Sequence, residues 1–349
     1  MRNKNLRIAV FSINDRRGGA ENILKLTALY FKNLGFKVDI IVFRRTDSKF
    51  WSKDGFDVKP FWAFFITAIF LRMRFAYTFS SHLKMNACIG ILRKFRFLNT
   101  QYSVARESTK IFSRYSGVKL LYLKTLYIIG YRTLNLIICQ NDIMRLELLR
   151  NVPILESIKS CVIRNPLDIA QILKLSNMDC DVCDINESFV AVGRLIPEKG
   201  FDNLLRAFAI SKTKLPKLYI IGEGPEEENL NKIIEEHDLS TKVIMLGYRD
   251  NPYPFMKKAF GCVLSSRVEG FPNVLNEMIL LNSNVLSSFC VPEVESLGFI
   301  LKEEIEDIVK FSEALEELGS DFSSSCGRLN YVESLQPEHF FNALKSNLP

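Results

Sequence analysis

Histidine is scarce in this 349-residue chain, with three residues in all. Metal centres and proton relays built from clustered imidazoles are therefore not expected. Long apolar runs are also missing. The longest, residues 61–71, falls short of the roughly 20 residues a spanning helix needs, and Arg72 and Arg74 close it. The first residues, MRNKNLRIAVFSI, run straight into a strand-like segment without the apolar stretch and small-residue cleavage site of a secretory leader. A cytoplasmic protein is expected. The 8 cysteines are scattered, and the one close pair, Cys180 and Cys183, lacks a second pair or histidines at metal-ligand spacing. Reduced thiols and no metal or other cofactor are the expectation. No low-complexity tract interrupts a composition of 48% hydrophobic and 24% charged residues, which excludes wholesale disorder.

What the chain does have is length and a lopsided charge. At 349 residues it exceeds the size at which one core keeps growing, so two domains are expected. The net charge of +7 conceals 29 Lys+Arg against 10 Asp+Glu in residues 1–165, a balance of +19, and −12 in the remainder. A basic half suggests an anionic partner such as a phospholipid surface, a lipid diphosphate or nucleic acid. The apolar run 61–71 with Arg72, Arg74, Lys84, Arg93, Lys94 and Arg96 offers apolar surface and cations together, the combination that rests on an anionic leaflet. An ordinary buried helix with a basic outer face fits the same residues.

Strands and helices alternate along both halves. Residues 6–13 form a short β-branched run ending at the Gly18-Gly19 turn, residues 20–34 carry helical spacing, and residues 37–43 read as a second buried strand. Further strands are read at 76–80, 102–106 and 134–139, with a helix near 82–97. After a turn at Asn165-Pro166 the series restarts, with strands at 189–193, 217–222, 243–246, 261–265 and 285–288 and helices at 201–211 and 225–237. The fold class is therefore α/β, with two Rossmann-like, doubly wound parallel-sheet domains facing a cleft. The expected division is 1–168, 169–330 and a closing segment 331–349 whose helix crosses back to the first domain.

Chemistry concentrates in residues 267–277. Gly270 and Pro272 disfavour a helix interior, but proline suits a first turn, so a helix is expected to start near Pro272. The amides of Phe271, Asn273 and Val274 would then face outward at the positive end of the helix dipole, which suits a diphosphate. Glu269 and Glu277 would flank that anion, one holding sugar hydroxyls and the other a ribose. A second cluster, residues 192–200, sets Arg194 and Lys199 in a loop after a strand. Two fixed cations there can stabilise the charge that develops on a leaving diphosphate without a metal.

These segments resemble glycosyltransferase family 4, retaining enzymes of the GT-B fold and group 1 type, over nearly the whole chain. The likeness rests on the Glu-x7-Glu pattern Glu269–Glu277, GRLIPEKGFDNLLRAF at 193–208, IIGEGPEEENL at 220–230 and VIMLGYRDNP at 243–252, in that order. It implies transfer of a hexose or N-acetylhexosamine from a nucleotide sugar, UDP-linked, to a lipid-linked or surface-polysaccharide acceptor such as lipopolysaccharide or capsule. By the same likeness Arg194 and Lys199 bind the donor diphosphate, Glu269 binds the sugar, and Glu277 the ribose. Gly270, Phe271, Asn273 and Val274 line sugar and phosphates, and Gly247 and Tyr248 lie near the base. In the first half, Gly18 and Gly19 match the family's Gly-rich loop near phosphates and acceptor, Arg106-Glu107-Ser108 matches a segment after a mid-domain strand, and His82 is the candidate cleft histidine. His82 and Arg106 are thus candidates for acceptor binding or catalysis. The loop 287–298 departs from the family by lacking its Gly-Pro-rich character.

Two other functions compete with transfer. A UDP-sugar epimerase of GT-B fold needs acids and a histidine poised for proton abstraction, which so few histidines disfavour. A non-catalytic basic protein binding a membrane or nucleic acid would not need intact Arg194, Lys199, Glu269 and Glu277. Nucleic acid is accordingly not an expected partner, and a peripheral position on the inner face of the cell membrane is.

Overall fold

The computed structural model describes residues 6–16, 18–46, 48–70, 73–290, 294, 297–318 and 325–348. Leu71 and Arg72 of the apolar basic segment lie outside the described residues, as does part of the 287–298 loop. The chain divides into two compact units, one of Met1–Pro166 with Pro337–Pro349, the other of Leu167–Gln336.

The first unit is built on seven parallel strands, β1 (Arg7–Asn14), β2 (Lys37–Arg44), β3 (Val58–Pro60), β4 (Arg74–Ser81), β5 (Asn99–Arg106), β6 (Leu136–Cys139) and β7 (Ser160–Val162). Their order is β3-β2-β1-β4-β5-β6-β7. Between them run helices α1 (Gly19–Asn33), α2 (Phe61–Phe70), α3 (Leu83–Lys94), the short α4 (Ile111–Arg114), α5 (Gly117–Gly130) and α6 (Asp142–Asn151). Side chains that alternate along each strand feed two cores, because successive residues point to opposite faces. Ile8 and Val10 join α1 on one face with Phe340, Phe341 and Leu344 of the helix Pro337–Asn347. Ala9 and Phe11 face Phe64 of α2 and Met85 and Ile89 of α3. The terminal helix is fixed by Phe341, whose ring stacks on Tyr30 at 3.8 Å between centroids.

The second unit repeats the plan with six parallel strands, β8 (Ser188–Val192), β9 (Lys217–Ile221), β10 (Val243–Gly247), β11 (Gly261–Leu264), β12 (Val285–Ser288) and β13 (Leu301–Glu303), ordered β10-β9-β8-β11-β12-β13. One face carries α8 (Phe201–Ala209), α9 (Glu227–Glu236) and the helix Ile308–Glu317. The other carries α7 (Ile169–Ser176), α10 (Tyr253–Lys258) and α11 (Asn273–Leu281).

Both sheets are doubly wound, so the two connections leaving adjacent central strands depart to opposite faces and open a crevice at the strands' carboxyl ends. In the first unit that point lies between β1 and β4, and in the second between β8 and β11. The boundaries differ from the sequence expectation by a few residues. Leu167 is buried in the second core and its amide donates to the Leu335 carbonyl at 2.7 Å, so the second unit starts at 167 and not 169. Residues 331–336 also stay with it, because Tyr331, Val332 and Leu335 pack on that same core.

Candidate active site

The loops after β8 and β11 are neighbours because their strands pair, and they bring together the residues singled out in the sequence. After β8 the chain makes a single tight turn, Pro197–Lys199, with proline at its first position, and Gly200 closes it at φ 64°. A Cβ on Gly200 would lie 2.1 Å from the Ser265 carbonyl oxygen, so no side chain fits there. Across this contact the Ser265 hydroxyl donates to the Lys199 carbonyl at 2.9 Å, and the Arg267 amide to the Glu198 carbonyl at 2.9 Å.

The two loops meet at Lys199 and Glu269. Lys199 Nζ donates to Glu269 Oε1 at 2.5 Å, and Ser266 Oγ donates to the same oxygen at 2.8 Å. Both partners are mostly buried, at 16% and 15% exposed, so their attraction is screened less than that of a surface pair. Glu269 Oε2 receives no hydrogen bond from the described residues, which leaves one oxygen held and one open to a hydroxyl. Arg194 is exposed on the same β8 loop.

The loop that carries Glu269 is clamped by Arg267, whose role the sequence did not suggest. Its guanidinium donates to both carboxylate oxygens of Asp202, to the Pro197 carbonyl at 2.7 Å and to Glu306 Oε1 at 2.7 Å. These hydrogen bonds push the Arg267 pKa further up. Burial would raise the Asp202 carboxyl, but the Arg267 hydrogen bonds and charge outweigh it and hold the carboxyl low. An arginine five residues before a proline-started helix looks like any surface cation, and only the pairing of β8 with β11 reveals its partner.

Helix α11 starts at Asn273, with Pro272 as its cap. One detail of the expected anion site is corrected. The Asn273 amide is engaged locally, donating to the Phe271 carbonyl at 2.9 Å, because Pro272 folds the backbone into a tight turn. Phe271 itself is buried in the core and Val274 packs against it, so these two positions offer backbone and not side chains. Glu277, one turn along α11, accepts from the Tyr253 hydroxyl at 3.3 Å. Gly247 ends β10 at the sheet edge, two strands from β8, and Tyr248 follows it, half exposed, with its hydroxyl donating to Asp250 at 3.1 Å.

The first unit gathers a second polar cluster at its own switch point. Gly18 precedes α1 in extended backbone and accepts from the Asn22 amide at 2.8 Å, and Gly19 opens the helix. Glu21, buried on the first turn of α1, lies with Oε1 3.4 Å from His82 Nε2, and His82 Nδ1 is 3.1 Å from Ser108 Oγ. His82 caps α3 with φ 75°, in the left-handed region of backbone space. Behind it Arg106 is buried, donating to Ser81 Oγ at 3.1 Å and to Asn165 Oδ1 at 2.5 Å. Burial lowers the Arg106 pKa to about 10, against the pull of Glu107 and Glu21.

Glu107, which the sequence offered only as part of the Arg106-Glu107-Ser108 match, has a role of its own here. It is buried and accepts from the Tyr127 hydroxyl at 2.6 Å, the Tyr131 hydroxyl at 2.5 Å and Asn86 Nδ2 at 3.2 Å. Burial pushes its carboxyl pKa up against those hydrogen bonds. The two tyrosines come from α5 and its C-cap, 20 and 24 positions on, a separation no local pattern encodes.

Residues 186–317 match the family model described as glycosyl transferases group 1. That stretch lies within the second unit. An uncharacterized glycosyltransferase of Methanocaldococcus jannaschii is 32% identical over 162 residues, 43% of this chain and 40% of that protein. The N-acetylgalactosamine-N,N'-diacetylbacillosaminyl-diphospho-undecaprenol 4-alpha-N-acetylgalactosaminyltransferase of Campylobacter jejuni is 36% identical over 141 residues, 40% of this chain and 37% of that protein. The match spans about two fifths of the length of these relatives. Among solved structures, Anabaena HepE in complex with UDP and glucose superposes with a TM-score of 0.76 at 16% identity, covering 98% of this chain and 99% of that one. The apo lipopolysaccharide outer core galactosyltransferase WaaB superposes with a TM-score of 0.70 at 16% identity, over 98% and 100%. The chain shares the fold of these two structures, the GT-B arrangement of parallel-sheet α/β units.

Proposed function

We propose that the chain is a retaining glycosyltransferase that moves a hexose or N-acetylhexosamine from a UDP-sugar to a lipid-linked or surface-polysaccharide acceptor. The observation that carries this reading is the meeting of Lys199 and Glu269 at the β8/β11 switch point, one cation and one half-open carboxylate beside the start of α11. Lys199 and Arg194 face the diphosphate, Glu269 Oε2 accepts from sugar hydroxyls, and Glu277 holds the ribose. The bond from the sugar's anomeric carbon to the β-phosphate oxygen breaks as the acceptor oxygen attacks from the same face. The acceptor proton passes to the departing phosphate, whose developing charge the two cations stabilise. The reaction so drawn needs no metal, because cations and a helix terminus supply the positive charge. His82 and Arg106 belong to the acceptor side.

The relatives support the choice of partners. The Campylobacter jejuni protein is named for transfer to a diphospho-undecaprenol-linked glycan, and Anabaena HepE was solved with UDP. No helix among the described residues is long and apolar enough to cross a membrane, which is compatible with a cytoplasmic protein resting on the membrane where such an acceptor lies.

The test is the shift in melting temperature with UDP, GDP or ADP, each in excess with EDTA present. A ligand at 100 times its dissociation constant stabilises by about 2.7 kcal/mol. A UDP-selective shift is expected. No shift with any nucleotide would move the protein to the non-catalytic binding role.

A further inference from the structure

Helix α5, GVKLLYLKTLYIIG, is apolar on both sides. Its inner face is fixed. Leu123, Tyr127 and Gly130 are buried against α3, and a Cβ on Gly130 would lie 2.4 Å from the Ala87 backbone, while one on Gly90 would lie 1.5 Å from the Gly130 carbonyl oxygen. Two glycines therefore let the helices touch and lock the rotation of α5. The outer face is then forced outward, with Val118 86% exposed, Leu121 65%, Tyr122 52%, Ile128 41% and Ile129 53%. Positions 118, 121, 122, 125, 128 and 129 recur at helical spacing and form one stripe, roughly 16 Å long at about 1.5 Å per residue. A helix that is apolar all round is normally buried, and exposed apolar stripes mark interaction sites.

Charge selects the occupant. Between Asp57 and Asp142 the sequence holds thirteen Lys or Arg and one carboxylate, Glu107, which is buried beneath α5 and turned inward. Lys119 and Lys124 flank the stripe, with Nζ 4.1 Å from the Tyr115 ring and 5.8 Å from the Phe112 ring, so their cations ride beside aromatic groups. The nearest acids in sequence beyond are on α6, Asp142 and Glu147. An apolar ridge edged by lysines and aromatics matches the boundary between acyl chains and anionic headgroups. We infer that α5 is a membrane-docking helix, lying in the plane of an anionic lipid surface with Val118, Leu121, Tyr122 and Ile129 in the acyl boundary. The segment expected from sequence to make such a contact was 61–71, whose helix α2 exposes Trp62 and Ile66. Among the described side chains, the longer exposed apolar stripe on one helix is that of α5. This specifies the membrane contact of the proposed function and rests on that reading for its purpose, but its test does not use the transfer reaction.

The full chain is sedimented with vesicles of phosphatidylcholine alone and of phosphatidylcholine mixed with phosphatidylglycerol, at low and high salt. Binding to the mixed vesicles, weakened by salt, is expected for the natural protein. Leu121→Ser with Ile129→Ser should lower the partition at least about tenfold by withdrawing two large apolar side chains, whereas Trp62→Ser with Ile66→Ser should change it less. Both pairs are surface changes, and an unaltered UDP-induced thermal shift verifies that they fold. The inference is overturned if no vesicle binds, if the α5 pair partitions like the natural protein, or if the stripe instead drives self-association that the α5 pair abolishes. A natural protein that docks on lipid but shows no UDP shift would sink the transfer reading and leave the docking helix standing.

Discussion

Arg267 and Asp202, 65 positions apart, form a two-pronged ion pair, Nη1 to Oδ1 at 2.8 Å and Nη2 to Oδ2 at 2.9 Å. The pair holds the β11 loop against the first turn of α8, two residues before Glu269, so that Lys199 and Glu269 meet. Such parallel charge-assisted bonds supply direction as well as energy.

The pH dependence of this clamp has a definite sign. Asp202 has a lowered folded-state pKa, so its contribution is present above the ordinary aspartate value of about 3.9 and is lost as pH falls through the folded value. Arg267→Ala should destabilise the second unit by about 1–2 kcal/mol at neutral pH, and the gap to the natural protein should close below about pH 4. Hydrogen exchange of strands β8 to β13 under mild denaturant measures it. A gap that persists unchanged in acid would mean the arginine acts by packing alone.

Substitutions at the donor residues should separate binding from turnover. Glu277→Ala should abolish the UDP-induced thermal shift, since a carboxylate held by Tyr253 is proposed to hold the ribose. Arg194→Ala and Lys199→Ala should lower kcat by about tenfold to a thousandfold while changing donor affinity less, because charge on the leaving diphosphate develops during the reaction. Natural rates in all three variants would sink the assignment of these residues.

The parallel sheets were legible because buried strands such as β2 and β8 are short β-branched runs beside helical spacing. The edge strands β3 and β13, three residues each, carry too little pattern to be read. Arg194, Lys199, Glu269 and Glu277 could be singled out because each lies in a loop or helix start with its own local signature. Arg267–Asp202 and Glu107–Tyr131 could not, since their partners are fixed by strand order and helix packing. The outer stripe of α5 was hidden for a related reason, because its apolar residues resemble a core helix until the glycine contacts with α3 fix which face is buried.

The Glu107 network should dominate the stability of the first unit. Glu107→Ala leaves the Tyr127 and Tyr131 hydroxyls and the Asn86 amide without this acceptor, a cost of about 3 kcal/mol or more. Glu107→Gln keeps the volume and should cost less. Its raised folded-state pKa also has a sign: the contribution is favourable when protonated and fades as pH rises from about 4.3 through the folded value. The glutamine variant should lack that slope. The chain's 2 tryptophans, Trp51 and Trp62, both lie in the first unit, so urea unfolding followed by tryptophan fluorescence reports it selectively.

His82 offers a substitution that separates a chemical role from a structural one. Its φ of 75° is a backbone that side-chain-bearing residues rarely adopt, at a cost of about 1 kcal/mol or more. His82→Gly should therefore fold at least as stably as the natural protein. If the imidazole, held between Glu21 and Ser108, contacts the acceptor, the same variant should lose about tenfold or more in kcat/KM for acceptor while the UDP-induced thermal shift stays intact. Glu21→Gln, which keeps the ring's neighbour but removes its charge, should lie between the two and raise the acceptor KM more than it lowers kcat. A glycine variant with gained stability and undiminished activity would reduce His82 to a helix cap and leave the acceptor side to Arg106.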